Sequence, residues 1–429
     1  MSQIALIDGS TLLYWSGLVL LLALLAACLA MLGCRFLQKK RPLDMALYLP
    51  LSLFLGFLAA RYLHYHCFYR QYTGLAQAFS DFSVGSFLLP GAMAGALLAA
   101  LLLRVCGIVK KLPAFLDAAA PGAALGIAVG KLSAAFYSGG RGKVTVTDER
   151  FFGLPWSTDM YPLTGIREYR TAVFFWEAVL AFALFTLLLV LFLRLRNRPV
   201  YEDGTVFWLF LLLWNAPEIL FDSMRYDSAF FRFNGFVSVV QIFSVLVLAA
   251  EVAVFSRKLS RRAGHAGPLL IALGIFFLSV SIIGLSEYLV QRHGDRHLSC
   301  YLTMTAGVLL SMIGGTVLIL RAQKAGSPGA EECQKAELKV AKAASAPRGR
   351  RAAGAKLPHS GNAASVSAVP EACESEKLPA SETGVPESSE PDPLFNTTSL
   401  SKFYLDFLNS DEDTLPEFTD ESFLPDGRE

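Results

Sequence analysis

Long apolar segments separated by short polar ones run through residues 1–320, and this pattern predicts helices that cross a membrane. Residues 12–32, for example, contain no charged side chain. A helix of about 20 apolar residues spans the roughly 30 Å hydrocarbon core of a bilayer. Nine such spans are predicted, at about 11–34, 43–63, 86–106, 113–131, 171–193, 205–224, 236–256, 268–290 and 300–320.

The composition agrees with membrane spans and excludes an ordinary soluble enzyme. The 429 residues are 54% hydrophobic and 17% charged, whereas a typical soluble domain has about 25% charged residues. The seven cysteines lack metal-site spacing and are interpreted as small apolar helix residues. His64 and His66 are interpreted as packing at the membrane interface rather than as zinc ligands. We therefore predict an all-α polytopic membrane protein with no bound metal or other cofactor.

Basic loops predict the orientation of the spans. The basic segments 35–41, 110–111, 194–198 and 257–262 are separated by even numbers of spans, so they share one side of the membrane. The positive-inside rule assigns that side to the cytoplasm. The N-terminus is then outside and the C-terminal tail inside. A cleavable signal peptide is not expected, because no basic region precedes the first apolar run.

The C-terminal tail, residues 322–429, is predicted to be disordered. Residues 321–356 carry nine Lys/Arg and three Glu, whereas residues 371–429 carry sixteen Asp/Glu and three Lys/Arg. A polar segment of this kind buries too little apolar surface to offset its conformational entropy. Residues 400–408 have an amphipathic pattern, so the tail is either a solvating segment or carries a short motif that folds on a cytoplasmic protein.

Several ionisable residues fall inside or at the ends of predicted spans, where they are costly unless they face a cavity or a partner. Most of them lie toward the external side, next to the long external segments 64–85 and 132–170. The alternatives are structural ions and a site for an anionic headgroup, since cations there suit a phosphate. Asp117 and Glu251 lie nearer the cytoplasm and are interpreted as structural. The full set is Arg61, Asp117, Lys131, Glu177, Glu218, Asp222, Arg225 and Glu251.

Short motifs occur in an order that resembles the prolipoprotein diacylglyceryl transferase family. Asp117-Ala-Ala-Ala-Pro121, Gly126, Gly130-Lys131 and Phe136 resemble its signature D-x-x-A-P-x4-G-x3-G-R-x-x-N-F. Order and spacing agree over about residues 12–256. The other matching positions are Gly56, Arg61, Phe87 to Gly95, Gly142, Leu154-Pro-Trp156, Glu177, Asp222-Ser-Met-Arg225 and Val240-Gln-Ile-Phe-Ser244.

The sequence departs from the family pattern mainly at polar positions. Lysine at 131 keeps the charge of the family's arginine but lacks its planar fork, and Glu218 reverses the charge of another arginine. The resemblance therefore predicts a divergent member that matches the family pattern better at scaffold positions than at polar ones. The remaining departures are Ser16 for tyrosine, Pro90 for histidine, Ala134 for asparagine and Gly139 for glutamate.

The resemblance implies transfer of a diacylglyceryl group from phosphatidylglycerol, or a similar anionic phospholipid, to a cysteine thiol of a membrane lipoprotein precursor. It also implies the bacterial inner membrane, and no nucleic-acid partner is expected. The implied catalytic residues are Lys131, Glu177, Asp222 and Arg225, and the implied lipid-binding residues are Arg61, Tyr137, Arg141 and Gly142.

The implied architecture is a seven-span transferase-like core at 1–256, an additional transmembrane hairpin at 257–321 and the tail at 322–429. The alternative is a catalytically inactive paralogue. It would bind phospholipid or a membrane peptide and recruit a cytoplasmic partner through its tail. A transporter is less well supported, because the sequence has no convincing inverted repeat.

Overall fold

Ten α-helices make up most of the residues that the structure describes. The structure is a computed structural model, and it describes residues 4–8, 11–40, 42–80, 87–136, 139–143, 145–146, 157–160, 168–197, 200–231, 237–292 and 297–324. The helices are α1 (Trp15–Leu37), α2 (Leu43–Cys67), α3 (Leu75–Ser80), α4 (Leu89–Val105), α5 (Leu112–Lys131), α6 (Val173–Asn197), α7 (Thr205–Met224), α8 (Val239–Ala263), α9 (Gly267–Arg292) and α10 (His297–Gln323).

Two small sheets accompany the helices. At the start of the chain, β1 (Ile4–Asp8) pairs antiparallel with β2 (Thr11–Tyr14), which leads directly into α1. The second sheet has the order β3 (Thr145–Val146), β5 (Glu168–Thr171), β4 (Ser157–Met160). Because Ala172 alone separates the central strand β5 from α6, this sheet lies at the N-terminal end of α6.

Helices that are not adjacent in sequence pack closely, as in the pairs α2 with α4 and α1 with α5, and the consecutive helices α5 and α6 also pack closely. Small residues allow the backbones to approach. A Cβ atom at Gly91 of α4 would lie 2.6 Å from the Ala59 carbonyl oxygen of α2, so a larger residue would force the two helices apart. Close contact of this kind is a main source of association between helices in lipid.

The helices α9 and α10 pack against each other and against α7 and α8. Near one end of this hairpin, the Tyr301 hydroxyl lies 3.4 Å from the Ser223 carbonyl oxygen of α7. Near the other end, Lys258 Nζ of α8 donates to Gln323 Oε1 at 2.8 Å, and the same ammonium lies 2.5 Å from Glu202 Oε2. The hairpin is thus fixed to the rest of the bundle at both ends.

Buried polar groups start helices α7 and α8. Asp117 of α5 accepts the N–H group of Gly204, the residue before α7, at 2.5 Å, and that of Phe207, in the first turn of α7, at 2.9 Å. The first N–H groups of a helix lack partners within the helix, so this carboxylate caps α7 from another helix. Ser238 and Gln241 cap α8 reciprocally. These contacts support the structural role predicted for Asp117.

The prediction of an all-α polytopic membrane protein is confirmed. All nine predicted spans are helices, and eight of the described helices are long and apolar enough to cross a membrane. The ninth, α4, has 17 residues. The predicted ends were wrong at several places. Residues 11–14 form β2 rather than helix. The helix α8 continues beyond the predicted end at residue 256 to Ala263, and its last turn contains Arg261 and Arg262.

Large apolar side chains on the outer faces of the helices agree with a lipid environment. Leu22 and Leu29 of α1 and Leu270 and Ile271 of α9 are 59–70% exposed. The division into core, hairpin and tail stays a prediction. The tail beyond Lys324, with residues 400–408, lies outside the described residues.

Candidate functional site

Lys131, the last residue of α5, is the centre of a buried ionic cluster. Its ammonium nitrogen lies 2.8 Å from Glu177 Oε2 and 3.2 Å from Glu218 Oε1. The Lys131 side chain is 15% exposed, and those of Glu177 and Glu218 are 0% and 5% exposed. Charges at this depth persist in proteins when they are paired. The cluster therefore ties the end of α5 to α6 and α7.

Glu177 connects Lys131 to a second cation. Its Oε1 atom lies 3.6 Å from Arg225 Nη1. The Arg225 guanidinium also donates to Asp227 through two nitrogens, at 3.0 Å from Nε to Oδ1 and 3.1 Å from Nη2 to Oδ2. This two-point contact matches the planar fork of a guanidinium to a carboxylate. Positive and negative groups thus alternate from Glu218 through Lys131, Glu177 and Arg225 to Asp227.

Arg225 and Asp227 follow the end of α7 and stabilise each other's charge. Burial alone raises the pKa of the Asp227 carboxyl, but the Arg225 guanidinium and backbone hydrogen bonds together hold this pKa below its ordinary range. The N–H of Gly140, 3.0 Å from Asp227 Oδ2, acts in the same direction. Although burial lowers the pKa of Arg225, Glu177 and Asp227 raise it well above its usual value. Both groups are therefore ionised at neutral pH.

Backbone hydrogen bonds hold the loop of residues 139–143 against the end of α7 and the start of α6. They run from Tyr226 N to Arg141 O (3.0 Å), from Lys143 N to Met224 O (2.8 Å) and from Gly142 N to Thr171 O (2.8 Å). The Arg141 residue is 8% exposed although it belongs to a loop. The loop therefore places a further buried cation next to the backbone of Arg225, with which Gly142 forms a bridge.

Gly140 is the position in this loop where the backbone requires glycine. Its φ angle is +69°, in the left-handed region that side chains rarely adopt. A Cβ atom here would also lie 2.9 Å from the Cβ of Phe174. Since the Gly140 N–H contacts Asp227, this turn contributes directly to the charge balance of the cluster.

Asp222 lies one helical turn after Glu218 in α7 and is 1% exposed. Its Oδ2 atom has no hydrogen-bond partner among the described residues. A buried carboxylate oxygen without a donor is costly. Asp222 is therefore able to accept a hydrogen bond or a proton from a ligand that enters the cluster.

Arg61 of α2 is buried among a different set of neighbours. Its Nε atom lies 2.5 Å from the Ala78 carbonyl oxygen, and its guanidinium carbon lies 5.4 Å and 5.5 Å from the ring centres of Tyr72 and Phe87. The Tyr72 hydroxyl in turn lies 2.9 Å from His64 Nδ1. Aromatic rings over a guanidinium stabilise its charge. This arrangement agrees with interpreting His64 as a packing residue.

A comparison with known protein families identifies the family of this chain. The family model described as prolipoprotein diacylglyceryl transferase matches residues 3–257, which is more than half of the sequence. The chain belongs to the prolipoprotein diacylglyceryl transferase family. The matched residues include α1 to α7 and most of α8, whereas the hairpin of α9 and α10 lies beyond them.

Curated relatives share this chain's family at low identity. A phosphatidylglycerol–prolipoprotein diacylglyceryl transferase of Trichormus variabilis is 27% identical over 231 residues, which cover 51% of this chain and 77% of the relative. The protein of the same name from Nostoc is 26% identical over 256 residues, covering 57% of this chain and 85% of the relative. One from Tropheryma whipplei is 30% identical over 122 residues, covering 28% of this chain and 43% of the relative.

The structure brings most of the implied catalytic residues into one cluster, but their roles stay predictions. Lys131, Glu177 and Arg225 are in contact, and Asp222 lies on the same end of α7. Arg141 and Gly142 adjoin the cluster through the backbone, whereas Arg61 is held by α3 and nearby aromatic residues. Tyr137 and the segment Leu154-Pro-Trp156 lie outside the described residues.

Arg170 is part of the site, and the family motifs do not indicate it. Its Nη1 atom donates to the carbonyl oxygens of Gly142, at 3.3 Å, and Lys143, at 3.0 Å. Its guanidinium also lies 5.2 Å from the ring centre of Tyr226. Arg170 therefore braces the glycine loop. Its position directly before the fifth predicted span is a weak signal in the sequence.

A small cavity borders the cluster on the side of α4. It measures about 10 Å³ and is lined by residues of α4, α7 and α8, among them Pro90, Trp214 and Glu218. The Trp214 ring also faces the Lys131 ammonium, with 5.6 Å between the nitrogen and the ring centre. Pro90 stands where the family pattern has histidine, so this wall is more apolar than the pattern implies.

Proposed function

We propose that this chain transfers the diacylglyceryl group of phosphatidylglycerol, or of a similar anionic phospholipid, to the cysteine thiol of a lipoprotein precursor. Family membership and the names of the relatives support this type of reaction. The observation that carries the proposal is the buried line of contacts from Lys131 through Glu177 to Arg225. It provides two cations and several carboxylates at one end of the helix bundle.

The proposed reaction divides its tasks among these residues. The cysteine sulfur attacks the glyceryl carbon, a carbon–sulfur bond forms, and the bond from that carbon to the phosphate oxygen breaks. Lys131 and Arg225 stabilise the phosphate that leaves with the electron pair as glycerol phosphate. The thiolate is the reactive form of cysteine, so a base has to take its proton. Asp222 is the proposed base, because its Oδ2 atom has no partner among the described residues.

Glu177 has a different proposed task. It contacts both Lys131 and Arg225, at 2.8 Å and 3.6 Å, and is fully buried. A carboxylate between two cations fixes their separation and their orientation. The proposed lipid-binding residues are Arg61, Tyr137, Arg141 and Gly142. Because the Gly142 N–H is used by the Thr171 carbonyl, Gly142 contributes shape rather than a free donor.

The chain is a multi-pass membrane protein, and its surroundings and orientation are part of the proposal. We place it in the bacterial inner membrane with the N-terminus outside and the tail in the cytoplasm. The basic loops support this orientation through the positive-inside rule. The ionic cluster then faces the external leaflet. The acidic tail is proposed to bind a cytoplasmic protein.

The reaction is tested with the purified full chain, phosphatidylglycerol and a synthetic peptide that carries the cysteine of a lipoprotein precursor. The thioether product is measured by mass spectrometry. We expect product with the unchanged protein, a large loss with Asp222→Asn, and near-normal product with Glu202→Gln, whose side chain is 40% exposed on the opposite end of the bundle. Bound phosphatidylglycerol without any product would overturn the transferase proposal.

The catalytically inactive paralogue remains a second candidate, and one observation favours it. Lys131 is paired with Glu177 and also with Glu218, and Arg225 is paired with Asp227. A lipid phosphate has to compete with these internal carboxylates for the same cations. If the unchanged protein binds phosphatidylglycerol and forms no thioether, while Glu218→Arg restores product, this second candidate describes the natural protein.

A further inference from the structure

Glu251 of α8 is buried in the bundle, away from the ionic cluster and unused by the proposed reaction. The residue is 2% exposed. Neither carboxyl oxygen has a hydrogen-bond partner among the described residues, and each exposes less than 1 Å². It lies twelve residues before the end of α8, about 18 Å along the helix by the rise per residue. This carboxyl is therefore deep in the apolar part of the bundle.

A cavity of about 30 Å³ adjoins this carboxyl. A cavity needs roughly 10–15 Å³ to hold one water-sized group, so this one holds about two. Four helices line it, α7, α8, α9 and α10, and most of the lining side chains are apolar. Ala272, Phe276 and Gly314 on its wall are half-buried, so the part of the wall formed by α9 and α10 lies near the surface of the bundle.

Ser311 supplies a second polar group on the cavity wall. Its oxygen lies 2.6 Å from that of Ser279, and Ser279 lies 2.7 Å from the Gly307 carbonyl oxygen. A carbonyl accepts only, so the Ser279 proton goes to Gly307 and the Ser311 proton goes to Ser279. The Ser311 oxygen is thereby left as an acceptor on the cavity wall.

We propose that this cavity binds the hydroxyl headgroup of a neutral lipid whose chain stays in the bilayer. A carboxyl in apolar surroundings is least costly when it carries its proton, and it then offers one donor and one acceptor. A hydroxyl has the matching set: its oxygen accepts from Glu251, and its proton goes to Ser311 or to the Glu251 carbonyl oxygen. The volume suits a hydroxymethyl group.

Other headgroups match these groups less well. An ammonium has hydrogen-bond donors only and requires Glu251 to be ionised. The attraction within such a buried ion pair is offset by the cost of removing both charges from water. An ester brings acceptors only, which leaves the Ser311 acceptor unused. A phosphate brings negative charge, and no cation lines the cavity among the described residues. A hydroxyl is the headgroup that uses both polar side chains.

The hairpin of α9 and α10 creates this site. The family match ends at residue 257, and Glu251 belongs to it, whereas Ser311, Gly314 and Gly315 belong to α10. A Cβ atom at Gly315 would lie 2.7 Å from Leu212 Cδ1 of α7, so the glycine lets α10 pack closely against α7 at the cavity wall. The hairpin thus adds a lipid site to a family core. The proposal does not depend on the transferase reaction.

The test uses dicyclohexylcarbodiimide, which modifies protonated carboxyl groups in apolar surroundings. The full chain in lipid nanodiscs is labelled, digested and analysed by mass spectrometry. We expect label on Glu251 and none in Glu251→Gln. Dodecanol and dioleoylglycerol are expected to slow labelling about fivefold or more relative to dodecane, the effect of one neutral hydrogen bond. Dodecylamine is expected to protect no better than dodecane.

Variants separate binding from folding. Ser311→Ala is expected to leave labelling intact and to remove most of the protection by dodecanol. Thr303→Ala, on an exposed turn of the same helix, is expected to keep that protection. Absence of label on Glu251, or equal protection by dodecanol and dodecane, would overturn the proposal. Stronger protection by dodecylamine would also overturn it, in favour of an ionised carboxylate that binds amines.

Discussion

The Lys131 ammonium lies 3.2 Å from the Glu218 carboxylate, although 87 positions separate the two residues in the chain. In the family pattern both positions carry arginine. Here one has become lysine and the other glutamate, so a pair of like charges has been replaced by an attractive pair. The two departures compensate each other in space. Either substitution alone suggests lost function, whereas the two together form one buried ion pair.

This pairing predicts strong coupling between the two residues. Lys131→Ala is expected to lower the free energy of unfolding by about 3–5 kcal/mol, because it removes the cation beside the buried Glu218 and one of the two cations beside Glu177. Adding Glu218→Gln is expected to recover part of the loss, since one of those carboxylates is then neutral. Unfolding in detergent with the two single variants and the double variant measures the coupling. Additive losses would contradict the contact.

Because Asp117 caps α7, its replacement is expected to lower stability without changing the affinity for phosphatidylglycerol. Asp117→Ala leaves the N–H groups of Gly204 and Phe207 without an acceptor and is expected to cost about 1–3 kcal/mol. The cap lies at the start of α7, far along that helix from Glu218. Thermal unfolding and phosphatidylglycerol binding are measured together. Weakened lipid binding at unchanged stability would place Asp117 in the site instead.

Hydrophobic segments gave the helices reliably, because a span of about 20 apolar residues leaves few alternatives in lipid. The sequence also grouped Lys131, Glu177 and Arg225 at one membrane face. It did not indicate that Glu177 touches both cations, since that contact depends on the crossing of α5, α6 and α7.

Contacts made by loops were the hardest to foresee. Arg170 donates to backbone oxygens of the glycine loop, and backbone acceptors leave no trace in a side-chain pattern. The buried position of Arg61 among Tyr72 and Phe87 has the same cause, because it depends on how a loop folds back onto α2.

The proposed lipid-binding role of Arg61 is tested by measuring phospholipid binding. Arg61→Ala is expected to weaken binding of phosphatidylglycerol by about 10- to 100-fold, the effect of one charged hydrogen bond. Arg61→Lys keeps the charge and is expected to lose less. Lys110→Ala, an exposed residue of a basic loop, is the matched control. Native mass spectrometry of protein–lipid complexes measures the effect, and unchanged binding in Arg61→Ala would place the lipid site elsewhere.

Asp227 predicts a pH dependence of stability. The Arg225 guanidinium holds its folded pKa below the ordinary range, so its contribution is complete above the unfolded value, about pH 4. The contribution is lost as pH falls from there through the lower folded value. Thermal unfolding of the natural protein and Asp227→Asn is compared across this range. Their difference is expected to shrink below about pH 4. A difference that stays constant across this range would contradict the ion pair.

Gly140 predicts that the shape of a backbone turn limits the site. Gly140→Ala places a side chain at φ +69° and 2.9 Å from Phe174, at a cost of about 1–3 kcal/mol. The turn relaxes by moving its N–H away from Asp227, so thioether formation is expected to fall more than stability does. Gly107→Ala also replaces a glycine at positive φ, but open space surrounds that position. It is expected to lose similar stability and to keep activity, and equal activity losses in the two variants would show that backbone strain alone accounts for the effect.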